Sequence, residues 1–356
     1  MFVSSIVFSM VIVAFNSSKL GSAEALDDYI QKNLVEASEF SMSLEQTEFL
    51  YDEFTQIYEK EKNFEGLTAF SKNLQTIVEH NRAGRDWTMG VNKFADVSFT
   101  DFKKDYLWNE PQNCSATKGT YSFKNLDLPE HVDWRDSGKV SPVKNQGHCG
   151  SCWTFSTTGT LEAHYKIYKG GPFLDLAKQQ LVDCAQEFDN HGCNGGLPSH
   201  AFEYIKHVGG IMSEHDYAYK AVEGTCKFDK TQAAAFVWGG SVNITAGNED
   251  ELDEALWSAG PVSICFQVID EFRFYKEGVY SSPDCKNTAM DVNHAVVAVG
   301  YGVKDGKQYY IVKNSWGPEW GNQGFFWIER GVNMCGVAQC NSYPKLYGSG
   351  KKVQEI

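Results

Sequence analysis

Apolar positions in 50-LYDEFTQIYEKEKNFEGLTAFSKNLQTIVEHN-81 recur mostly at three- and four-residue steps: Leu50, Phe54, Ile57, Phe64, Leu67, Phe70, Leu74, Ile77 and Val78. That period sets them along one face of a helix and predicts an amphipathic helix interrupted near Gly66. Farther along the pattern changes. The segment 152-CWTFSTTGTLEAHYKIYKGG-171 reads as a helix that starts near Cys152 and stops at Gly170-Gly171. The runs 261-PVSICFQV-268, 294-HAVVAVGYG-302 and 308-QYYIVKNSW-316 are strand-like, rich in Val, Ile and Tyr. A turn containing Asp305-Gly306 joins the last two and predicts a hairpin. With helices dominating the first half and strands the second, the chain reads as α+β, with two subdomains packed together.

Composition narrows the setting. A net charge of −14 over 356 residues argues against nucleic acid as a partner. An apolar run from Ile6 to Phe15 is too short to span a bilayer but suits a secretory signal over residues 1–23. No later segment reaches transmembrane length, so no membrane partner is expected. Secretory entry makes the ten cysteines candidates for disulfides. Two sequons, at Asn113 and Asn243, are candidate glycosylation sites. Residues 24–105 carry neither cysteine nor proline, and cysteine density rises after residue 110, so a boundary lies between about 105 and 128.

The stretch 145-NQGHCGSCW-153 holds Cys149 and Cys152 at Cys-x-x-Cys spacing. A redox pair would want a βαβ context and few other cysteines, and a zinc site a second ligand pair; neither accompanies it. Nor do the histidines show metal-ligand spacing, so neither a metal nor a cofactor is expected. A third reading gives the two cysteines different jobs. Cys152 stands at a helix start, where the macrodipole favours a thiolate. His294, at the mouth of a strand, would complete a thiolate–imidazolium pair, and Asn314 on the next strand would orient the ring. Trp316 could shield that hydrogen bond from water, and Gln146 could donate to an oxyanion. His148 reads as an exposed turn residue.

The Gln-Gly-x-Cys-Gly-Ser-Cys-Trp run, the later His-Ala and Asn-Ser-Trp-Gly resemble the motifs of papain-like cysteine peptidases. The resemblance implies a papain-like two-subdomain fold, with a helical left domain, a β-barrel-like right domain and the active-site cleft between them. It implies catalysis by Cys152, His294, Asn314 and Gln146, with substrate backbone held at Gly195 and Gly196 beside Trp316. It also implies disulfides Cys149–Cys193, Cys184–Cys226 and Cys285–Cys335. Phe70, Asn73, Ile77 and Asn81, with Gly90, Asn92, Phe94 and Asp96, match the motifs of the family's inhibitory propeptide. Lys62 and Gly66 stand where that pattern has an ion pair. Residues 24–127 are then a propeptide and 128–356 the peptidase domain.

The octapeptide 110-EPQNCSAT-117 resembles the mini-chain of the family's cathepsin H-like branch, which also includes aleurain-like enzymes. There a retained propeptide fragment blocks the non-primed cleft, and its terminal carboxylate, here Thr117, would pair with a substrate's α-amine. The resemblance pairs Cys114 with Cys340 and leaves Cys265 over, either buried as a small hydrophobe or facing the second subsite. The function implied is a lysosomal (or vacuolar or secreted) zymogen acting mainly as an aminopeptidase with some endopeptidase activity. Its partners would be peptide and protein substrates, its own propeptide and cystatin-type inhibitors, and it would be a monomer. The alternatives are an ordinary endopeptidase that loses the Cys114 fragment, and a non-catalytic binding homologue.

Overall fold

The computed structural model describes residues 19–38, 42–109, 112 and 119–346. Of the features expected above, Asn113, Cys114 and Thr117, and the octapeptide apart from Gln112, lie outside the described residues, as does most of the expected signal segment.

The long apolar period is divided between two helices. After α1 (Ala23–Ile30), which continues into a π turn at Gln31–Val35, come α2 (Leu44–Ile57) and α3 (Phe64–Arg82). The break falls at 58–63, not at Gly66. Glu59 turns the chain with φ +52°, and the Asn63 side chain caps α3 by accepting from the Gly66 N–H at 2.7 Å. Gly66, inside the first turn of α3, serves a close approach: the Tyr51 hydroxyl of α2 fills the space a Cβ would need. Leu50, Phe54, Phe70, Leu74, Ile77 and Val78 are buried between the helices and the rest of the chain, whereas Phe64 is exposed. Lys62 forms a surface ion pair with Asp52, outside the family's helical pairing.

Strand β1 (Trp87–Met89) and helix α4 (Phe99–Tyr106) complete the N-terminal region. The remainder opens with β2 (Val132–Asp133) and then α5 (Cys152–Lys169), α6 (Lys178–Cys184) and α7 (Pro198–Val208). The α5 residues from Cys152 to Tyr165 are all buried, and the helix ends where Gly170 takes φ +65°. A small pair, β3 (Ile211–Met212) with β4 (Ala233–Ala235), closes the helical half. Next come β5 (Gly240–Asn243), α8 (Glu249–Ser258), β6 (Val262–Phe266), β7 (Tyr275–Tyr280), β8 (His294–Lys304), β9 (Lys307–Lys313), β10 (Phe325–Glu329) and β11 (Ser342–Lys345).

The expected hairpin is β8–β9, turned at Asp305 and Gly306, both at positive φ. The main sheet runs β1-β7-β10-β9-β8-β6-β11-β5, with β2 added to β8. It is open rather than the barrel-like closure expected for the right-hand half. One edge is β5; at the other, the N-terminal region supplies β1, which pairs with β7 and extends the sheet. Disulfides Cys149–Cys193, Cys184–Cys226 and Cys285–Cys335 pin the loops. Cys340 is also disulfide-bonded, and with Cys152 and Cys265 free its partner is none of the other described cysteines.

Candidate active site

Three element ends meet between the helical and strand halves. Cys152 begins α5, His294 begins β8, and Asn314 directly follows β9. The β8–β9 pairing brings the last two together across 20 residues, with His294 Nε2 2.8 Å from Asn314 Oδ1. That oxygen also accepts from the Ser315 N–H at 2.8 Å, which fixes it as an acceptor. Nε2 must therefore carry the ring proton, leaving Nδ1 as the basic nitrogen. Nδ1 is buried and has no hydrogen-bond partner within the protein, the condition of a base awaiting a proton. The Trp316 indole covers this pair, its ring 4.8 Å from the imidazole, and Trp320 packs edge-on against Trp316 at 4.8 Å.

The thiol of Cys152 is fully buried and accepts from the Ala295 N–H at 3.4 Å. Burial pushes it up to about 12, against the pull of the Ala295 N–H, the Trp108 side chain and the N–H groups of Trp153 and Cys152. A helix dipole contributes only about 0.3–1 kcal/mol, too little to offset that desolvation. Burial likewise pushes His294 down to about 4, with Asn314 working against it. In this closed state burial thus works against the expected thiolate–imidazolium pair at both groups. Part of that burial comes from a stretch of chain lying over them.

That chain is the stretch from Tyr106 to Asn109. The Gln146 amide donates to the Tyr106 carbonyl at 3.0 Å and to the Cys149 carbonyl at 2.9 Å, while its oxygen accepts from Ser315 Oγ at 2.7 Å. The side chain expected to meet an oxyanion is thus aimed at a backbone carbonyl of the chain's own N-terminal region. The Trp108 N–H donates to the Asn293 carbonyl at 3.0 Å, and the Asn109 N–H to the Asn194 carbonyl at 3.1 Å. Trp108 lies on Gly195, whose φ of +128° and missing side chain admit the indole; a Cβ there would come within 3.0 Å of it. Gly196 is packed instead against Trp153 and Asn190.

His148 is more than a turn residue: its Nδ1 lies 2.9 Å from Asp105, and its ring packs against Tyr106. Tyr106 and Trp108 have no signal in the sequence patterns above, because each meets a partner 40 or more residues away, whereas Ser315 falls within the Asn-Ser-Trp-Gly run without a role assigned to it. Asn243 lies in β5, its amide oxygen accepting from Ser241 Oγ. Among the described residues, His131, Asp133 and Asp136 bring metal-ligand atoms together, but the Asp133 carboxylate is already forked by Arg135.

Comparison with known proteins agrees with this geometry. The family description "Papain family cysteine protease" matches residues 128–345, and "Cathepsin propeptide inhibitor domain (I29)" matches residues 51–102. The chain is 53% identical over 289 residues to bovine (Bos taurus) pro-cathepsin H, covering 81% of this chain and 85% of that protein. It is 53% identical over 279 residues to an aleurain-like thiol protease of Arabidopsis thaliana, covering 78% and 77%. Among solved structures, the digestive procathepsin L2 proteinase of Tenebrio molitor larval midgut superposes with a TM-score of 0.78 at 36% identity, covering 84% of this chain and all of that one.

Proposed function

Because this chain belongs to the papain family of cysteine proteases and carries that family's inhibitory propeptide domain, we propose that it is a secretory zymogen whose mature form trims peptides from their N-terminus. In this reading 1–23 is a signal segment, 24–127 the propeptide and 128–356 the peptidase domain. Once Tyr106 to Asn109 leave the cleft, His294 Nδ1 takes the Cys152 proton and the sulfur attacks the scissile carbonyl. The Gln146 amide, released from the Tyr106 carbonyl, donates to the developing oxyanion together with the Cys152 N–H. The imidazolium, held by Asn314, protonates the leaving amine and then activates the water that frees the acyl group. Gly195 and Gly196 hold substrate backbone where Trp108 now lies.

The observation that supports the aminopeptidase reading is the bonded state of Cys340, whose partner is none of the other described cysteines. We assign that partner as Cys114, which would tether 110–117 in the cleft and set the Thr117 carboxylate against a substrate's free α-amine. The similarity to pro-cathepsin H supports the same assignment. An acidic lysosome or vacuole, a monomeric state, inhibition by cystatin-type proteins and glycans at Asn113 and Asn243 belong to this reading. Among the described residues no helix is long and apolar enough to cross a membrane. The test is to assay activated enzyme on matched free-amine and N-blocked aminoacyl substrates. Preference for the free amine is expected; preference for blocked peptides would make it an ordinary endopeptidase.

A further inference from the structure

A serine precedes the helix that carries the nucleophile, yet it does not cap it. A capping serine turns its side-chain oxygen onto the N–H of the second or third helical residue, here Trp153 or Thr154. Ser151 instead sits at φ −93°, ψ 17°, away from the extended backbone of a capping serine, and its side chain makes no cap bond. The Thr154 N–H is met by the Ser151 carbonyl at 2.8 Å. The Trp153 N–H has no cap. Burial raises the Cys152 thiol, and the N–H groups of Trp153 and Cys152 are among the donors that pull it back.

The Ser151 hydroxyl, on a residue with no exposed surface, lies 2.5 Å from Tyr219 Oη. Tyr219 Oη donates to the Gln146 carbonyl at 2.7 Å. A carbonyl can only accept, so the single phenol proton is committed there and Ser151 is the donor in its bond with Tyr219. Tyr219 is itself held. Its N–H donates to Glu214 Oε1 at 2.7 Å, and its ring stands edge-on to Phe155 at 5.0 Å. Burial pushes the phenol above its ordinary value, so it stays a donor. One phenol oxygen thus braces both ends of the turn from Gln146 to Ser151. That turn begins at one expected oxyanion donor, the Gln146 amide, and ends beside the other, the Cys152 N–H.

We infer that Tyr219 is a positioning residue for the oxyanion site: by engaging the Ser151 hydroxyl and the Gln146 carbonyl, it keeps the first N–H groups of α5 uncapped and free for the sulfur and the developing oxyanion. The inference deepens the proposed reaction and rests on Gln146 and the Cys152 N–H as the oxyanion donors. Tyr219 acts through these groups and touches no reacting atom. Gln146, Ser151, Phe155 and Glu214 all lie in the matched peptidase domain, so the brace outlasts removal of the propeptide. Without the phenol oxygen, the Ser151 hydroxyl is released to accept from the Trp153 N–H. That takes a donor from the thiolate, and the Gln146 carbonyl loses its support. Preorganised donors matter because they are already aimed where charge develops.

The test compares processed full-length protein as wild type, Tyr219→Phe, Ser151→Ala and the double variant, with rates per active site titrated by an epoxide thiol inhibitor. Phenylalanine keeps the ring on Phe155 and removes only the oxygen. The substrate is a free-amine aminoacyl or N-blocked peptidyl aminomethylcoumarin, whichever wild type cleaves faster. Tyr219→Phe is expected to lower kcat about tenfold at unchanged KM, part of the roughly 10²–10³-fold that outright loss of an oxyanion donor costs. The pH profile of Cys152 alkylation by iodoacetamide should move upward, because the thiolate has lost a donor. Ser151→Ala alone should stay close to wild type, and in the double variant it should restore most of the lost kcat and the alkylation profile. A double variant as slow as Tyr219→Phe overturns the proposal, since deleting a serine hydroxyl does not rescue a merely structural tyrosine. So does Tyr219→Phe with the wild-type kcat and profile, or with a change in KM alone. If Tyr219→Phe gives no titratable enzyme, its recovery in the double variant supports the proposal and continued absence overturns it. Gln146→Ala checks the underlying reading: a kcat within about tenfold of wild type would refute the oxyanion assignment alone, because the alkylation profile still scores Tyr219.

Discussion

At the Trp316 face, Phe94 and Phe102 lie edge-on to the indole at 5.7 and 5.2 Å, and Lys93 donates to the Trp316 carbonyl at 2.7 Å. A few residues later, Tyr106 to Asn109 cross the cleft chiefly through backbone hydrogen bonds. The first contact is an anchor. Its aromatic side chains join the same core as Trp320, Phe272 and Phe326, and the matched motif asparagines complete it. Asn73 donates to the Ala95 and Val97 carbonyls and accepts from buried Arg273, while Asn92 donates to the Arg273 carbonyl at 2.8 Å. The second contact is a strap. It occupies polar groups that the reaction needs and dries out the thiol and imidazole. Affinity thus resides mainly at one place and latency at the other, so variants of the two should fail differently.

The largest effect is expected at the anchor. Phe94→Ala removes a buried aromatic, a change that typically costs about 3–5 kcal/mol. Inhibition of the mature enzyme by added propeptide should weaken by at least about 10²-fold; an unchanged inhibition constant would show that the anchor is not where affinity resides.

Acid should loosen the complex next most. The closed state holds His294 near 4, against an ordinary value of 6.5. Between those values the open form binds more protons to the extent that His294 is charged from solvent and not by the Cys152 proton, and that uptake makes propeptide affinity fall as pH drops from about 6.5 to about 4, by up to roughly 10²-fold. Burial also lowers His80, which adds in the same direction, whereas Asp27, raised by burial, opposes it. Inhibition constants across this window check the sign, and constancy would remove His294 from the switch.

Of the hydrogen bonds that Asn73→Ala removes, the one from Arg273 reaches beyond the N-terminal region, and its loss costs about 1–3 kcal/mol. A five- to hundredfold weakening of inhibition is expected. Trp108→Ala should reverse the balance: Cys152 alkylation in the zymogen rises by more than propeptide affinity falls. Matched changes in both would merge anchor and strap into one device. Smallest of all, Lys62→Ala breaks a half-exposed pair with Asp52 and should shift thermal stability by under about 1 kcal/mol, without measurable activity in the zymogen.

Much of the active-site arrangement was legible because its residues stand at punctuated element ends. Cys152 follows a glycine-rich turn and opens a helix, and Asp305-Gly306 closes the hairpin that carries His294 toward Asn314. Motif resemblance supplied the rest of that grouping. What the sequence did not disclose depends on distant segments meeting. The Tyr106 carbonyl reaches Gln146 across 40 residues, and Trp108 reaches Asn293 across 185, with no local pattern to mark either contact. Burial at this meeting point works against the thiolate that the helix start suggests. Similarly, the apolar period ran through 58–63 unbroken, because the turn there rests on the backbone of Glu59 and the cap at Asn63. One edge strand of the open sheet, β1, likewise arrives from the distant N-terminal region.

The central claim is that the strap silences Cys152 by keeping its thiol and the imidazole neutral. The most direct measurement is the rate of Cys152 alkylation by iodoacetamide at pH 6, read at that residue by mass spectrometry, in the intact zymogen and after processing. With the thiol near 12 and the imidazole near 4 in the closed state, the zymogen should be nearly inert, and processing should raise the rate at least about 10²-fold. Equal rates before and after processing would contradict the account.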